Sequence, residues 1–243
     1  MAGGKQRIDQ LLVDRGLADS RQKAQALILA GQVLVNGQKA QKAGQAVAAD
    51  ARVEVSQGMK YVSRGGLKLE AALDYFGIVV EGKLCIDVGS STGGFTDCLL
   101  QRGAVHVYAF DVGTNQLDWR LRNDARVTVR ENVNARYLQG NDVDEPCHLA
   151  VCDVSFISAT MIVPVLPPML RPDGELVILV KPQFEVGRED VGKGGIVRDP
   201  ALHAAACRKV GVAVEQLGFT TRLMESPILG AEGNREFLLY GHH

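Results

Sequence analysis

From residue 84 onward the chain alternates apolar runs of strand length with segments long enough for helices: Leu84–Val88, Val105–Phe110, Val127–Val129, Leu149–Cys152 and Leu176–Val180. Short β-rich runs separated by helical crossovers predict an α/β domain built on a parallel sheet with helices on both faces. Open sheets of that kind receive ligands beyond the C-terminal ends of their strands. The residues able to do chemistry collect at those ends.

The first strand runs into Asp87-Val88-Gly89-Ser90-Ser91-Thr92-Gly93-Gly94-Phe95, a glycine-rich strand-to-helix turn. The second ends at Asp111, a spacing from Asp87 at which an acidic side chain receives ribose hydroxyls. The dinucleotide pattern G-x-G-x-x-G is not met, because Ser90 and Ser91 follow Gly89 and the next glycines are adjacent; there is no G-K-[ST] for ATP either. A carboxylate at the turn disfavours a pyrophosphate and favours a cationic sulfonium. The expected cofactor is therefore S-adenosylmethionine. Asp87, Gly89, Ser90, Ser91, Gly93, Gly94, Phe95, Asp111 and Asp153 are its expected contacts.

The N-terminal part reads differently. Residues 1–64 hold ten basic side chains against five acidic ones, out of 27 and 28 in the whole chain, so the remainder is acidic. A basic segment joined to an acidic one points to a polyanionic partner for the first. Ile8, Leu11 and Leu12 have helical spacing and Gly16 stops the helix. Ser20 is a good N-cap for a second helix with Ala24, Leu27 and Ile28 as its buried stripe. Val33 and Val35 then lead into Asn36-Gly37, the dipeptide of a type I′ hairpin turn. This pattern resembles the small RNA-binding module named after ribosomal protein "S-four", and the resemblance implies that Arg7, Arg21, Lys23 and Lys39, with Arg64 just beyond, meet phosphates. The expected organisation is a small α+β RNA-binding domain over residues 1–58, a linker over 59–64 and a Rossmann-like methyltransferase domain over 65–243.

Prolines interrupt the longest apolar stretch, near Ile157 to Leu170, so no membrane helix is expected. The N-terminus lacks the apolar core of a signal peptide. The five cysteines form no C-x-x-C pair, which argues against a zinc site and for reduced thiols. A cytoplasmic protein without a metal is the expectation.

Four polar residues complete the reading: Lys68 at the beginning of a helix, Asp153 and Lys181 at the ends of apolar strands, and Glu236 in a late strand. In that order, around this glycine turn, they resemble the Lys-Asp-Lys-Glu tetrad of FtsJ-type RNA 2′-O-methyltransferases. With Tyr61-Val62-Ser63-Arg64-Gly65-Gly66 and the run from Val180 through Arg188 to Gly192-Lys193-Gly194-Gly195, the chain resembles the TlyA (haemolysin-A-like) ribosomal RNA methyltransferases along nearly its whole length. The resemblance implies methyl transfer to a ribose 2′-hydroxyl of ribosomal RNA, cytidine by the family's habit, within ribosomal subunits. Lys181 would be the base, with Lys68, Asp153 and Glu236 positioning it and the hydroxyl. Phe156, Phe184 and Trp119 are candidates for stacking on an extruded base. The competing readings are an NAD oxidoreductase, a membrane-active haemolysin and an RNA-binding protein without catalysis. Gly192-Lys193-Gly194-Gly195 is expected to be a mobile loop that orders on RNA.

Overall fold

The computed structural model describes residues 4–55, 59–230 and 232–243. The chain divides into two compact units, Met1–Lys60 and Tyr61–His243. The expected domain end at residue 58 lies outside the described residues.

In the smaller unit, β1 (Lys5–Arg7) leads into α1 (Ile8–Asp14) and α2 (Arg21–Leu29), followed by the short strands β2 (Val33–Val35), β3 (Gln38–Lys39), β4 (Ala46–Ala48) and β5 (Val53–Val55). The Ser20 hydroxyl caps α2 by accepting the Lys23 amide at 3.2 Å. Asn36 and Gly37 both take positive φ, 49° and 80°, as a type I′ turn demands, and β2 pairs with β3 across them. β2 also pairs with β5, while β1 pairs with β4. Ile8, Leu11 and Leu12 of α1 meet Ala24 and Ile28 of α2 and Val33 of β2 in one core.

The larger unit begins with α3 (Gly65–Phe76) and continues through β6 (Leu84–Val88), α4 (Gly94–Gln101), β7 (His106–Phe110), α5 (Trp119–Arg122), β8 (Val127–Arg130), β9 (Cys147–Cys152) and β10 (Leu170–Val180). It ends with α6 (Pro182–Glu185), α7 (Pro200–Glu215), β11 (Thr220–Glu225) and β12 (Phe237–His242). Seven strands form one sheet in the order β11-β12-β10-β9-β6-β7-β8. The five strands expected from the sequence run parallel to their neighbours. β12 enters antiparallel beside β10, and β11 pairs antiparallel with β12.

Strand residues alternate between two cores, as a pleat with a two-residue repeat requires. Ile86, Val88, Phe110 and Ile178 face α7 and the short helical turns after β9; Cys85, Val107, Leu149 and Val177 face α3 and α4. Tyr61, placed by the sequence reading in the linker, is buried in the second of these cores. Both faces of the sheet are thus closed, and its open edge for ligands is the C-terminal end of β6, β7, β9 and β10.

Candidate active site

The glycine turn after β6 is shaped by close approach. Gly89 has φ 83°, and a Cβ there would lie 2.5 Å from the carbonyl oxygen of Asp153, so the ends of β6 and β9 touch through a position only glycine can occupy. The amides of Gly89 and Ser90 both donate to Phe110 O, at 2.9 and 3.2 Å; that of Gly93 donates to Ser90 O at 2.7 Å. The Ser91 amide donates to Asp111 Oδ2 at 2.8 Å and the Gly113 amide to Asp111 Oδ1 at 2.7 Å. Four amides of the turn are therefore spent inside the fold and cannot cradle a pyrophosphate, which disfavours the dinucleotide reading. Asp111, by contrast, keeps a second acceptor site on each oxygen.

Asp111 lines a cavity of about 430 Å³ with Phe110, Val112, Val133, Ala135 and Ile162. A carboxylate beside an apolar slot fits a ribose diol and a base. A second cavity of about 550 Å³ is lined by Lys68, Asp153, Lys181 and Glu236, together with Ser90, Gly94, Phe95, Ser155, Phe156 and Phe184. Gly89, Ser91 and Asp153 line both, so the two cavities meet at the β6–β9 contact.

The four expected catalytic residues are brought together as two ion pairs. Lys68, buried on α3, pairs with the buried carboxylate of Glu236. Lys181 lies 2.5 Å from Asp153 Oδ1 and donates to Ser155 Oγ at 2.8 Å. Each pair joins elements far apart in the chain, which sequence order alone does not reveal. Pairing also explains how charged side chains are tolerated at depth, since an isolated charge there would cost several kcal/mol, on the order of the desolvation penalty.

Two expected cofactor contacts line neither cavity. Gly93 has φ 96°, and a Cβ there would lie 2.3 Å from Leu121 Cδ1, so this glycine serves the packing of the segment through α5. Asp87 is fully buried beneath the turn, where Oδ2 accepts the Thr96 hydroxyl at 2.6 Å and Oδ1 has no partner among the described residues. Burial pushes its carboxyl up to about 7, against the pull of the Thr96 hydrogen bond and with help from the nearby Asp153 charge.

Of the expected RNA contacts, Arg64 lines the larger cavity, and Lys23 and Lys39 are exposed. Arg7 and Arg21 are half-exposed and converge on the fully buried Asp9, at 2.9 and 3.0 Å, with Gln25 donating to the same carboxylate at 3.1 Å. The Arg7 hydrogen bonds hold the Asp9 carboxyl well below the usual range, despite its burial. The sequence reading missed Asp9, and also Gln116, Asn134 and Ala135 in the smaller cavity. Asn134 follows the end of β8, and inspection of the first polar residues beyond every strand would have found it. Gly192 and Ile196 form an antiparallel bridge in the segment expected to be mobile, and Asn234 accepts the Val197 amide and donates to Gly195 O.

A mostly parallel seven-stranded sheet, an acidic second strand end and an adjoining Lys–carboxylate cavity define a methyltransferase of the Rossmann-like α/β class. The model of the FtsJ-like methyltransferases matches residues 61–243, and that of the S4 domain matches residues 6–53. The chain belongs to the FtsJ-like methyltransferase family and carries an N-terminal S4 domain. It is 46% identical to the 16S/23S rRNA (cytidine-2'-O)-methyltransferase TlyA of Mycobacterium tuberculosis, over 96% of this chain and 88% of that protein. It is 47% identical to Hemolysin A of Brachyspira hyodysenteriae, over 96% and 98% of the two chains. A solved structure from Streptococcus thermophilus, described as a candidate hemolysin, superposes with a TM-score of 0.74 at 45% identity, over 98% of this chain and 88% of that one.

Proposed function

We propose that this protein transfers a methyl group from S-adenosylmethionine to the ribose 2′-hydroxyl of a cytidine in ribosomal RNA. The observation that carries this reading is the junction of the two cavities: a ribose-accepting carboxylate on one side, two Lys–carboxylate pairs on the other, and Asp153 between them. The name of the mycobacterial relative supports the cytidine and the ribosomal RNA. In this reading the unit up to Lys60 supplies RNA affinity and Tyr61–His243 carries out the reaction, residues 61–64 of the expected linker belonging to the larger unit.

The residues present fit S-adenosylmethionine. Asp111 would hold the ribose of the donor, the apolar walls of the smaller cavity its adenine, and Asp153 would face the cationic end. When bound, the donor supplies an electrophilic methyl on sulfur. The chain's own task is to remove the acceptor's proton and to align oxygen with that methyl. Lys181, steadied by Asp153 and Ser155, would take the 2′-proton onto Nζ as the oxygen is alkylated by the donor's methyl. Lys68, fixed by Glu236, donates toward the 2′-oxygen and holds its lone pair in line.

Replacing Lys181 with Met should abolish turnover while donor binding by calorimetry persists. The acceptor is identified by offering labelled S-adenosylmethionine with small subunits, large subunits and bare RNA, then mapping the label. Substrate with a single 2′-deoxy sugar at the mapped nucleotide should take no methyl. If it is still methylated, the acceptor is a base atom and the role given to Lys181 falls. As to the haemolysin reading, no helix among the described residues is long and apolar enough to cross a membrane.

A further inference from the structure

We propose that Glu185 is a positioning residue for this reaction, holding the segment after β9 in register with the segment after β10. The inference rests on the reading of Lys181 and Asp153 given above. Two stretches of chain leave the sheet side by side: residues 153–159 and residues 181–185. They are tied at three levels. Nearest the sheet, Lys181 meets Asp153 and Ser155. In the middle, the rings of Phe156 and Phe184 lie 5.3 Å apart. At the far end Glu185 Oε2 accepts the Ser158 hydroxyl at 2.5 Å and Oε1 accepts the Ala159 amide at 2.6 Å.

The three ties differ in strength. The first two sit at the cavity, where water and substrate compete for them. The third is buried: the Glu185 side chain is 2% exposed and its backing is a cation, Lys209 of α7, which lies 3.1 Å from Oε2 and also donates to Glu185 O at 2.8 Å. A buried carboxylate with a hydroxyl, an amide and an ammonium around it has little freedom to move, because losing any partner leaves charge unsatisfied. Between the ties, Phe156 takes φ 64° while 92% exposed. A bulky residue keeps that backbone conformation only where its neighbours impose it. Glu185 grips the two residues that follow closely, Ser158 and Ala159, and so supplies the constraint. Freed from it, the segment would relax, and Asp153 and Ser155 would lose their fixed distance from Lys181.

The test uses the full-length protein with labelled S-adenosylmethionine and its ribosomal substrate. Glu185→Leu keeps bulk but removes the carboxylate's hydrogen bonds to Ser158 and Ala159 and its ion pair with Lys209, leaving only the backbone contact of Lys209. It should lower kcat by roughly ten- to a hundredfold, the scale of a small misplacement at a reacting centre, while KM for the donor changes less than threefold. Glu185→Gln keeps an acceptor for the Ala159 amide and should recover most of the lost kcat. Ser158→Ala, which leaves Glu185 and Lys209 untouched, should fall between them and covers the case in which Glu185→Leu does not fold. Wild-type kcat in folded Glu185→Leu, or in Ser158→Ala, overturns the inference. So does a loss in Glu185→Leu that Glu185→Gln fails to recover. Wild-type protein that methylates a base atom instead would sink the underlying reading of Lys181, a result separable from any of these.

Discussion

Asp87 gives the residue scale its sharpest pH signature. Its carboxyl is raised to about 7 in the fold from the ordinary 3.8, so the native state binds a proton that the unfolded chain has already released over that window. The sign follows. The Asp87 contribution to stability is full below about 4, is lost as pH rises through about 7, and changes little beyond; Asp9, held low by Arg7, contributes in the opposite sense on acidification. Asp87→Asn removes the titration, so its stability relative to wild type should improve from pH 5 to pH 8 by an amount on the order of a kcal/mol or more, read from urea unfolding midpoints. A constant difference at both pH values would show that the buried carboxyl does not titrate there. Asp87 also marks a limit of the sequence. A strand-end carboxylate was legible as important, yet nothing in Ile86-Asp87-Val88 says whether it points into a cavity or into the layer beneath. Lys68, Asp153, Lys181 and Glu236 were legible as a set through their resemblance to the FtsJ-type tetrad; their division into two ion pairs was not, since it depends on which elements become neighbours.

Among the elements, α3 and α4 begin in close contact. A Cβ on Gly94 would lie 2.2 Å from Ser63 Oγ and 2.9 Å from the backbone nitrogen of Gly66, so the two helix starts approach through bare backbone. Gly94→Ala should push them apart, lowering the unfolding midpoint and weakening S-adenosylmethionine binding more than tenfold, with calorimetry as the check; donor affinity equal to wild type would mean that the turn does not depend on this contact. The five parallel strands were readable because each is a compact apolar run, though β9 and β10 begin earlier than expected, at Cys147 and Leu170. β11 escaped notice. As an edge strand reading Thr-Thr-Arg-Leu-Met-Glu, it is mostly exposed, so its composition lacks the apolar run that announces a buried strand. The Gly192–Gly195 segment was expected to be mobile from its glycines alone; what the glycines could not show was that Asn234, nearly forty residues on, holds its backbone from both ends of its amide. Asn234→Ala should open that segment to protease, and an unchanged digestion pattern would argue that the bridge alone suffices.

For the whole molecule, charge and chemistry fall in different parts of the sequence. Residues 1–60 hold nine basic side chains against five acidic ones, and every residue lining the two cavities lies in the unit Tyr61–His243. Removing residues 1–60 should therefore weaken RNA binding strongly and leave donor affinity within a few-fold, whereas collapse of donor binding would mean that the two functions are not divided this way. The cut belongs before Tyr61, whose ring is part of the larger unit's core and fills the space that a side chain at Gly66 would need. The order of the sheet has one more consequence, for the time course of synthesis. β12 is the last strand to be made, yet it takes its place between β10 and β11, and the loop leading into it brings Glu236 to Lys68. A nascent chain that has already produced the donor turn, Asp153 and Lys181 still has a gap in its sheet and an unpaired lysine in its cavity. On the proposed reading, a chain that stops short of Glu236 should still hold RNA through its N-terminal unit yet transfer no methyl group, because the partner of Lys68 and the strand that fills the gap are both missing.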